Sequence, residues 1–239
     1  AVGADLCTIE EAEDFLEKVP EKQPFMGTSC CPAWSVMAKK LFPEFTDYIS
    51  MALTPMVLTA RIVKKDNPDA KIVFVGPCAA KKLEASRRSI RSDVDFVLTF
   101  EEIQGMFEAK EVDFATLVPD EQDKEFDEGT SAGRGFAVVG GVAAAVADHI
   151  SRIRPGMEIK MEFGDGLREC RKMLLMAKAG KRNGYLLEGM ACPGGCVAGA
   201  GTIAPVAAAS AAVKKYKEEA PKQTAGESSY AARLSEATE

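Results

Sequence analysis

Hydrophobic and polar residues follow two different periods along this chain, and prolines mark most of the changes. Thr8 to Lys18 reads as a helix: Thr8 is placed to cap it, Glu11 stands at the capping-box spacing, and Pro20 ends it. Pro24 to Gly27 is short and extended and leads into Thr28-Ser29-Cys30-Cys31-Pro32. A second helix is predicted from Pro32, at a first-turn position where its missing N–H costs nothing, to Leu41, with Pro43 as its stop. Pro55 to Lys65 is helical in pattern. Lys71 to Gly76 is a β-branched apolar run that predicts a buried strand ended by Pro77-Cys78, and Asp95 to Phe100 predicts another, followed by a helix over Glu101 to Lys110. Asp120 to Gly135 is acidic and glycine-rich and predicts a loop. Beyond it come a buried Ala/Val/Gly-rich helix (Phe136 to Ile150), a short strand (Glu158 to Phe163), a helix (Leu167 to Ala179) and a strand from Tyr185 into Met190-Ala-Cys192-Pro-Gly-Gly-Cys196. An Ala-rich helix starts at Val206. After Pro221 the composition turns polar, which predicts a tail to Glu239 that is either poorly ordered or docked on the rest. Strand–helix alternation of this kind predicts an α/β fold with parallel sheets flanked by helices.

Composition narrows the function. The chain has 239 residues, 46% of them hydrophobic and 28% charged, enough apolar material for a sizeable core in one large domain or two lobes. A net charge of −6 argues against a nucleic-acid partner. No run approaches the roughly 18 apolar residues of a membrane span, and Asp5, Glu10 and Glu11 interrupt anything resembling a secretory leader. A cytoplasmic protein is the expectation.

Seven cysteines stand against a single histidine, His149. An odd count without an export signal fits a disulfide framework poorly, and one histidine leaves little room for a His-rich zinc site. Cys30, Cys31, Cys78, Cys192 and Cys196 sit at element ends, each beside proline or near glycine. The ends of parallel strands converge on one rim, where α/β proteins build their sites. Four thiolates on such a rim can hold a tetrahedral zinc or a cubane iron–sulfur cluster. The Cys192-x-x-x-Cys196 spacing is wider than most structural zinc pairs use, and the scattered ligand segments favour an embedded cluster. Cys7 and Cys170 lie within or beside helical patterns and read as small buried hydrophobes.

Three segments carry a family resemblance. Thr28-Ser-Cys-Cys-Pro-Ala-Trp34 resembles the first signature of the [FeFe] hydrogenases, TSCCPxW; Gly76-Pro-Cys-Ala-Ala-Lys-Lys-Leu-Glu84 the second, MPCxxKxxE; and Glu188 to Gly201 the third, ExMACxxGCxxGGG. They occur in the family's order, and the likeness runs from about Gly3 to Gly201. It implies a two-lobed iron-only hydrogenase-like fold with the cluster site between the lobes. It also implies an H-cluster: a [4Fe-4S] cubane joined through one cysteine to a two-iron subcluster with CO, cyanide and a dithiolate bridge. By motif position the cubane ligands are Cys31, Cys78, Cys192 and Cys196, the last bridging. Cys30 is the proton relay, Lys81 the partner of a cyanide, and Met190 an apolar wall; Phe136 belongs to the same surroundings. The implied proton path continues through Glu11, Ser50 and Asp14 toward Lys18. Residues 11, 14 and 18 share one helix face, for which the plainer reading is a solvated acidic surface with Glu10, Glu13 and Glu17.

The departures carry information. Gly76 replaces a methionine expected to touch the two-iron unit, and Ala200 replaces a glycine. The stretch from Glu162 to Tyr185 is short, as in branches regarded as sensory. The resemblance places a leading strand, whose Pro and Ser line the two-iron site, ahead of Gly3. On this reading residues 1–220 are an H-cluster domain lacking that leading part, and 221–239 a polar tail. Accessory cysteine clusters are missing from the sequence, so electrons would come from a ferredoxin-like carrier or an accessory iron–sulfur domain or subunit, and maturation proteins would install the two-iron unit. Three functions remain: a hydrogenase reducing protons reversibly, a hydrogen or redox sensor on the same site, and an iron–sulfur assembly protein with a cubane but no two-iron unit.

Overall fold

Two small parallel sheets organise the protein, seen here in a computed structural model that describes residues 1–118 and 128–238. In the first, β5 (Tyr185–Met190) lies between β1 (Phe25–Gly27) and β4 (Lys160–Asp165); Phe25 pairs with Tyr185, and Asp165 with Met190. In the second, β2 (Val73–Gly76) pairs with β3 (Phe96–Thr99), Gly76 opposite Thr99. Every pairing is parallel, as the strand–helix alternation predicts.

Side-chain alternation divides the first sheet between two cores. Leu186 packs with Met26 against α1 (Val2–Lys18) and α7 (Gly141–Ile153), through Phe15, Ala143, Val146 and Ile150. Leu187, one residue on, packs to the other side with Phe25 against α2 (Pro32–Leu41) and α8 (Leu167–Lys178), through Trp34, Met173 and Leu174. Both leucines are fully buried, each contributing about 1.5–3 kcal/mol of transfer free energy. The second sheet is covered on one side, by Met56, Val57 and Ala60 of α3 (Pro55–Asp66) with Ile90 and Val94.

Several boundaries differ from the sequence-based expectation, each for a visible reason. The first helix begins at Val2, and Thr8 is an interior residue whose hydroxyl donates to the Ala4 carbonyl at 2.9 Å. What fixes its start is tertiary: the Asp5 carboxylate accepts from the Thr130 N–H and hydroxyl, at 3.0 and 2.5 Å. The strand expected to be buried at Lys71–Gly76 is shorter and half-buried, with Val73 and Val75 facing outward, because only one face of its sheet is covered. The loop expected over 120–135 lies partly outside the described residues, and its end is helical: α6 (Ser131–Arg134) is capped by Thr130, whose hydroxyl accepts from the Gly133 N–H. Phe136 stands in a 3-10 turn rather than in the following helix, which starts at Gly141 after Gly140 at φ +83°.

The polar segment after Pro221 is docked. A capping box between Thr224 and Glu227 closes a turn, and α10 (Leu234–Thr238) inserts Ala237 against Leu58 and Ile62. The second sheet is completed outward by α4 (Ala80–Ala85) and α5 (Phe100–Ala109), and α9 (Val206–Glu218) lies near α6. Among the described residues no helix is long and apolar enough to cross a membrane.

Candidate functional site

The site forms where three strands end. β1 runs into Thr28-Ser29-Cys30-Cys31 and α2, β2 into Pro77-Cys78, and β5 into Cys192-Pro-Gly-Gly-Cys196. Trp34 fixes the first of these turns to the third strand. Its indole N–H donates to the Thr28 carbonyl at 3.1 Å, and its ring lies so close to Gly189 that a Cβ there would sit 2.0 Å from it. The second and third segments meet through glycine as well. The Gly201 N–H donates to the Pro77 carbonyl at 2.9 Å, and a Cβ on Gly199 would lie 2.3 Å from that oxygen. Any other residue would hold the Cys78 and Cys196 segments apart.

Cys31, Cys78, Cys192 and Cys196 therefore come to one place, and their electrostatics report it. Burial pushes the Cys196 thiol up to about 12, and thiolates at Cys31, Cys78 and Cys192 would push it the same way, against the Lys81 ammonium. Cys192 is raised by burial and then by Cys78 and Cys31. Among the described residues no three His, Cys, Asp or Glu side chains are close enough to share one metal ion. The four cysteines are near enough for their charges to act on one another, yet they do not close on a mononuclear site. A soft, four-thiol donor set on an open rim suits an iron–sulfur cluster, whose irons spread the ligands apart.

Beside this rim lies a cavity of about 290 Å³ whose wall includes Cys30, Cys31, Lys81, Phe136, Met190 and Cys196. Most of its surface is apolar, and its charged groups are held in place. The Lys81 ammonium pairs with Glu84 at 2.6 Å and reaches the Cys30 carbonyl at 3.4 Å; the other Glu84 oxygen accepts from the Thr54 hydroxyl at 2.8 Å. Arg134, which sequence reasoning did not single out, also lines the cavity. Its guanidinium donates to the Gly129 and Tyr216 carbonyls and lies 4.0 Å from the Tyr216 ring centroid. It falls in the glycine-rich stretch expected to be loop, so no periodic pattern marked it. Glu84 was visible only as a motif end, and Thr54 was not singled out.

Cys30 borders the cavity, and burial, then Glu11 and Cys7, holds its thiol well above the ordinary range. Behind it Glu11 is fully buried. One carboxylate oxygen accepts from the Ser29 N–H at 2.5 Å and the Ser29 hydroxyl at 2.8 Å, while the other has no hydrogen-bond partner among the described residues. Burial pushes Glu11 up to about 7, against both Ser29 bonds. Farther out, the Ser50 hydroxyl donates to Asp14 at 2.8 Å, and Asp14 pairs with Lys18 at 2.5 Å near the surface. Of the acidic face, Glu13 and Glu17 are the exposed members, Glu10 turns inward to accept from the Leu53 N–H, and Glu11 is core. Cys7 is buried one helical turn before Glu11. Cys170 is buried in the core cluster that Cys31 packs on, its thiol directed at the Gly164 and Met190 carbonyls.

Glu188 serves a different end: its two oxygens accept from the Gly140 and Ala143 N–H groups and so cap α7 from the neighbouring strand.

Residues 1–200 match the family model described as the iron only hydrogenase large subunit, C-terminal domain. The chain belongs to this family. Among curated relatives, the periplasmic [Fe] hydrogenase large subunit of Nitratidesulfovibrio vulgaris is 28% identical over 239 residues, covering 83% of this chain and 57% of its own. Iron hydrogenase 1 of Clostridium pasteurianum is 29% identical, covering 83% and 42%. A probable cytosolic Fe-S cluster assembly factor of Drosophila mojavensis is 26% identical, covering 85% and 53%. The chain thus spans about half the length of the curated relatives it matches. An apo [FeFe]-hydrogenase variant from Chlamydomonas reinhardtii superposes with a TM-score of 0.78 at 21% identity, covering 98% of this chain and 77% of that one, which shows the fold: α/β, with parallel sheets flanked by helices.

Proposed function

We propose that this chain is the catalytic domain of an [FeFe] hydrogenase that reduces protons to hydrogen reversibly. One observation carries the reading: Cys30, Lys81 and Met190 face a single cavity together with two of the four rim cysteines. Cys31, Cys78, Cys192 and Cys196 would hold a [4Fe-4S] cubane, with Cys196 shared by the cavity. A two-iron unit bound in the cavity supplies the hydrogen-splitting chemistry.

The chain's own residues supply position and protons. Lys81, braced by Glu84, presents an ammonium to an anionic ligand in a largely apolar wall, where such a contact is strong. Met190 and Phe136 keep water from the cavity. Cys30 holds a proton at Sγ beside the reacting space. Glu11, with a pKa near neutrality, is matched to taking and returning that proton at working pH. Ser50, Asp14 and Lys18 continue the route to the surface. Electrons would come from a ferredoxin-like carrier or an accessory iron–sulfur domain, maturation proteins would load the two-iron unit, and the cytoplasm is the compartment this reading expects.

The matched assembly factors support a second reading, a cubane-bearing assembly protein without a two-iron unit. The two separate in one experiment. After anaerobic cluster reconstitution and two-iron loading, the hydrogenase reading expects infrared bands of iron-bound CO and cyanide and hydrogen evolution from a reduced dye. It also expects Cys30→Ala to lower the rate about 100-fold or more with iron content unchanged. A cubane signal with neither bands nor hydrogen upholds the assembly reading instead.

A further inference from the structure

A second polar cavity, of about 160 Å³, lies between α2 and the turn that follows α4. Lys39, Arg61 and Arg87 bring three cations to it; Ser29, Ser50 and Glu84 are among its other walls. It touches none of the four rim cysteines, so a ligand bound there does not depend on the hydrogenase reading.

The charges around this space do not cancel. Glu84, its carboxylate, is buried and already matched by Lys81 at 2.6 Å and by the Thr54 hydroxyl. Arg61 is held by Asp93 at 3.2 Å and donates to the Ala237 carbonyl. Among the described residues the Lys39 ammonium has one polar contact, the Met51 thioether at 3.7 Å, a weak acceptor that leaves an ammonium's donors unmatched. The Arg87 guanidinium has no hydrogen bond or ion pair among the described residues, and neither do those of Arg88 and Arg91 beside it. In the wall of this cavity three cations stand against one carboxylate that is already paired, a local excess of unmatched donors. Cations around a concave space favour a compact anion over a flat partner surface, and guanidinium and ammonium groups together suit phosphate oxygens.

We propose that this cavity is a binding site for a small oxyanion of the phosphate class, held by Lys39 and Arg87 with Arg61 behind them. An anion seated there lies against Ser50, whose hydroxyl donates to Asp14.

The test is calorimetric titration of the full chain, without clusters, by inorganic phosphate at constant ionic strength, with chloride as control. Expected are saturable one-to-one binding, at least tenfold weaker binding in Lys39→Gln and in Arg87→Gln, retained binding in Lys39→Arg, and no change in Lys65→Gln, which lies outside the cavity. Circular dichroism checks that each variant is folded. A parallel titration with methyl phosphate separates sources: binding of inorganic phosphate alone supports a free anion, and equal binding of the ester supports the phosphoryl group of a larger ligand. Absence of saturable binding, equal competition by chloride, or affinity indifferent to both Lys39→Gln and Arg87→Gln overturns the proposal.

Discussion

Glu11 is a carboxyl with one oxygen bonded twice and the other not at all, buried at the centre of the proposed proton route. Because burial raises its pKa from 4.5 to about 7, the folded chain keeps a proton that the unfolded chain has released across that window. Its contribution to stability therefore falls as pH rises through the window and is fully unfavourable above it. Glu11→Gln keeps the acceptor for Ser29 and removes the charge. The variant's melting temperature relative to wild type is expected to rise between about pH 5 and pH 8.5, measured on the cluster-free chain; a difference constant with pH contradicts the assignment. Lys81 and Glu84 make the opposite case, a buried pair in which each group needs the other. Glu84→Gln leaves an uncompensated ammonium and is expected to destabilise by about 3 kcal/mol in urea unfolding. At this scale the sequence was most informative where residues are tied to a motif: the cysteines, Lys81, Met190. It was silent on Arg134 and on the bond from Thr54 to Glu84, because both depend on which distant backbone arrives beside them.

At the scale of elements, helices with tertiary anchors moved most from their expected bounds. α7 begins where Glu188 reaches across from β5, and α1 begins where Thr130 reaches Asp5. Local pattern cannot show either contact, since each joins residues more than forty positions apart. Glu188→Ala leaves the Gly140 and Ala143 N–H groups without acceptors and is expected to cost about 1–3 kcal/mol, with faster amide hydrogen exchange confined to the first turn of α7. Gly189→Ala forces a methyl into the Trp34 ring and is expected to destabilise by about 1–3 kcal/mol in the same unfolding assay. The strands, by contrast, were legible to within two residues or so, because Leu186 and Leu187 feed two separate cores and a strand buried on both faces shows as a short, continuous apolar run. The half-exposed β2 was misjudged as buried because a β-branched run shows propensity, not what covers it.

Across the whole molecule, glycine and proline at strand ends turn a sequence of scattered cysteines into one rim. Gly189, Gly199 and Gly201 allow three segments, separated by up to 165 positions between Cys31 and Cys196, to approach at backbone distance. The family and the parallel α/β architecture were readable from three motifs in order and from strand–helix alternation; the cavity beside the rim was not, since its wall draws on α1, α3, α6 and α9 as well. Four cysteines, and not the buried Cys7 and Cys170, should bind the cubane. Serine at Cys78 or Cys192 is expected to abolish the reduced-state cubane signal in electron paramagnetic resonance, while serine at Cys7 or Cys170 retains it. The most direct test of hydrogenase chemistry at this rim is the infrared spectrum of the reconstituted chain after two-iron loading. CO and cyanide bands are expected, and they are expected to shift when Lys81→Gln is introduced. A chain carrying its full cubane yet showing no such bands contradicts a two-iron site beside Cys196.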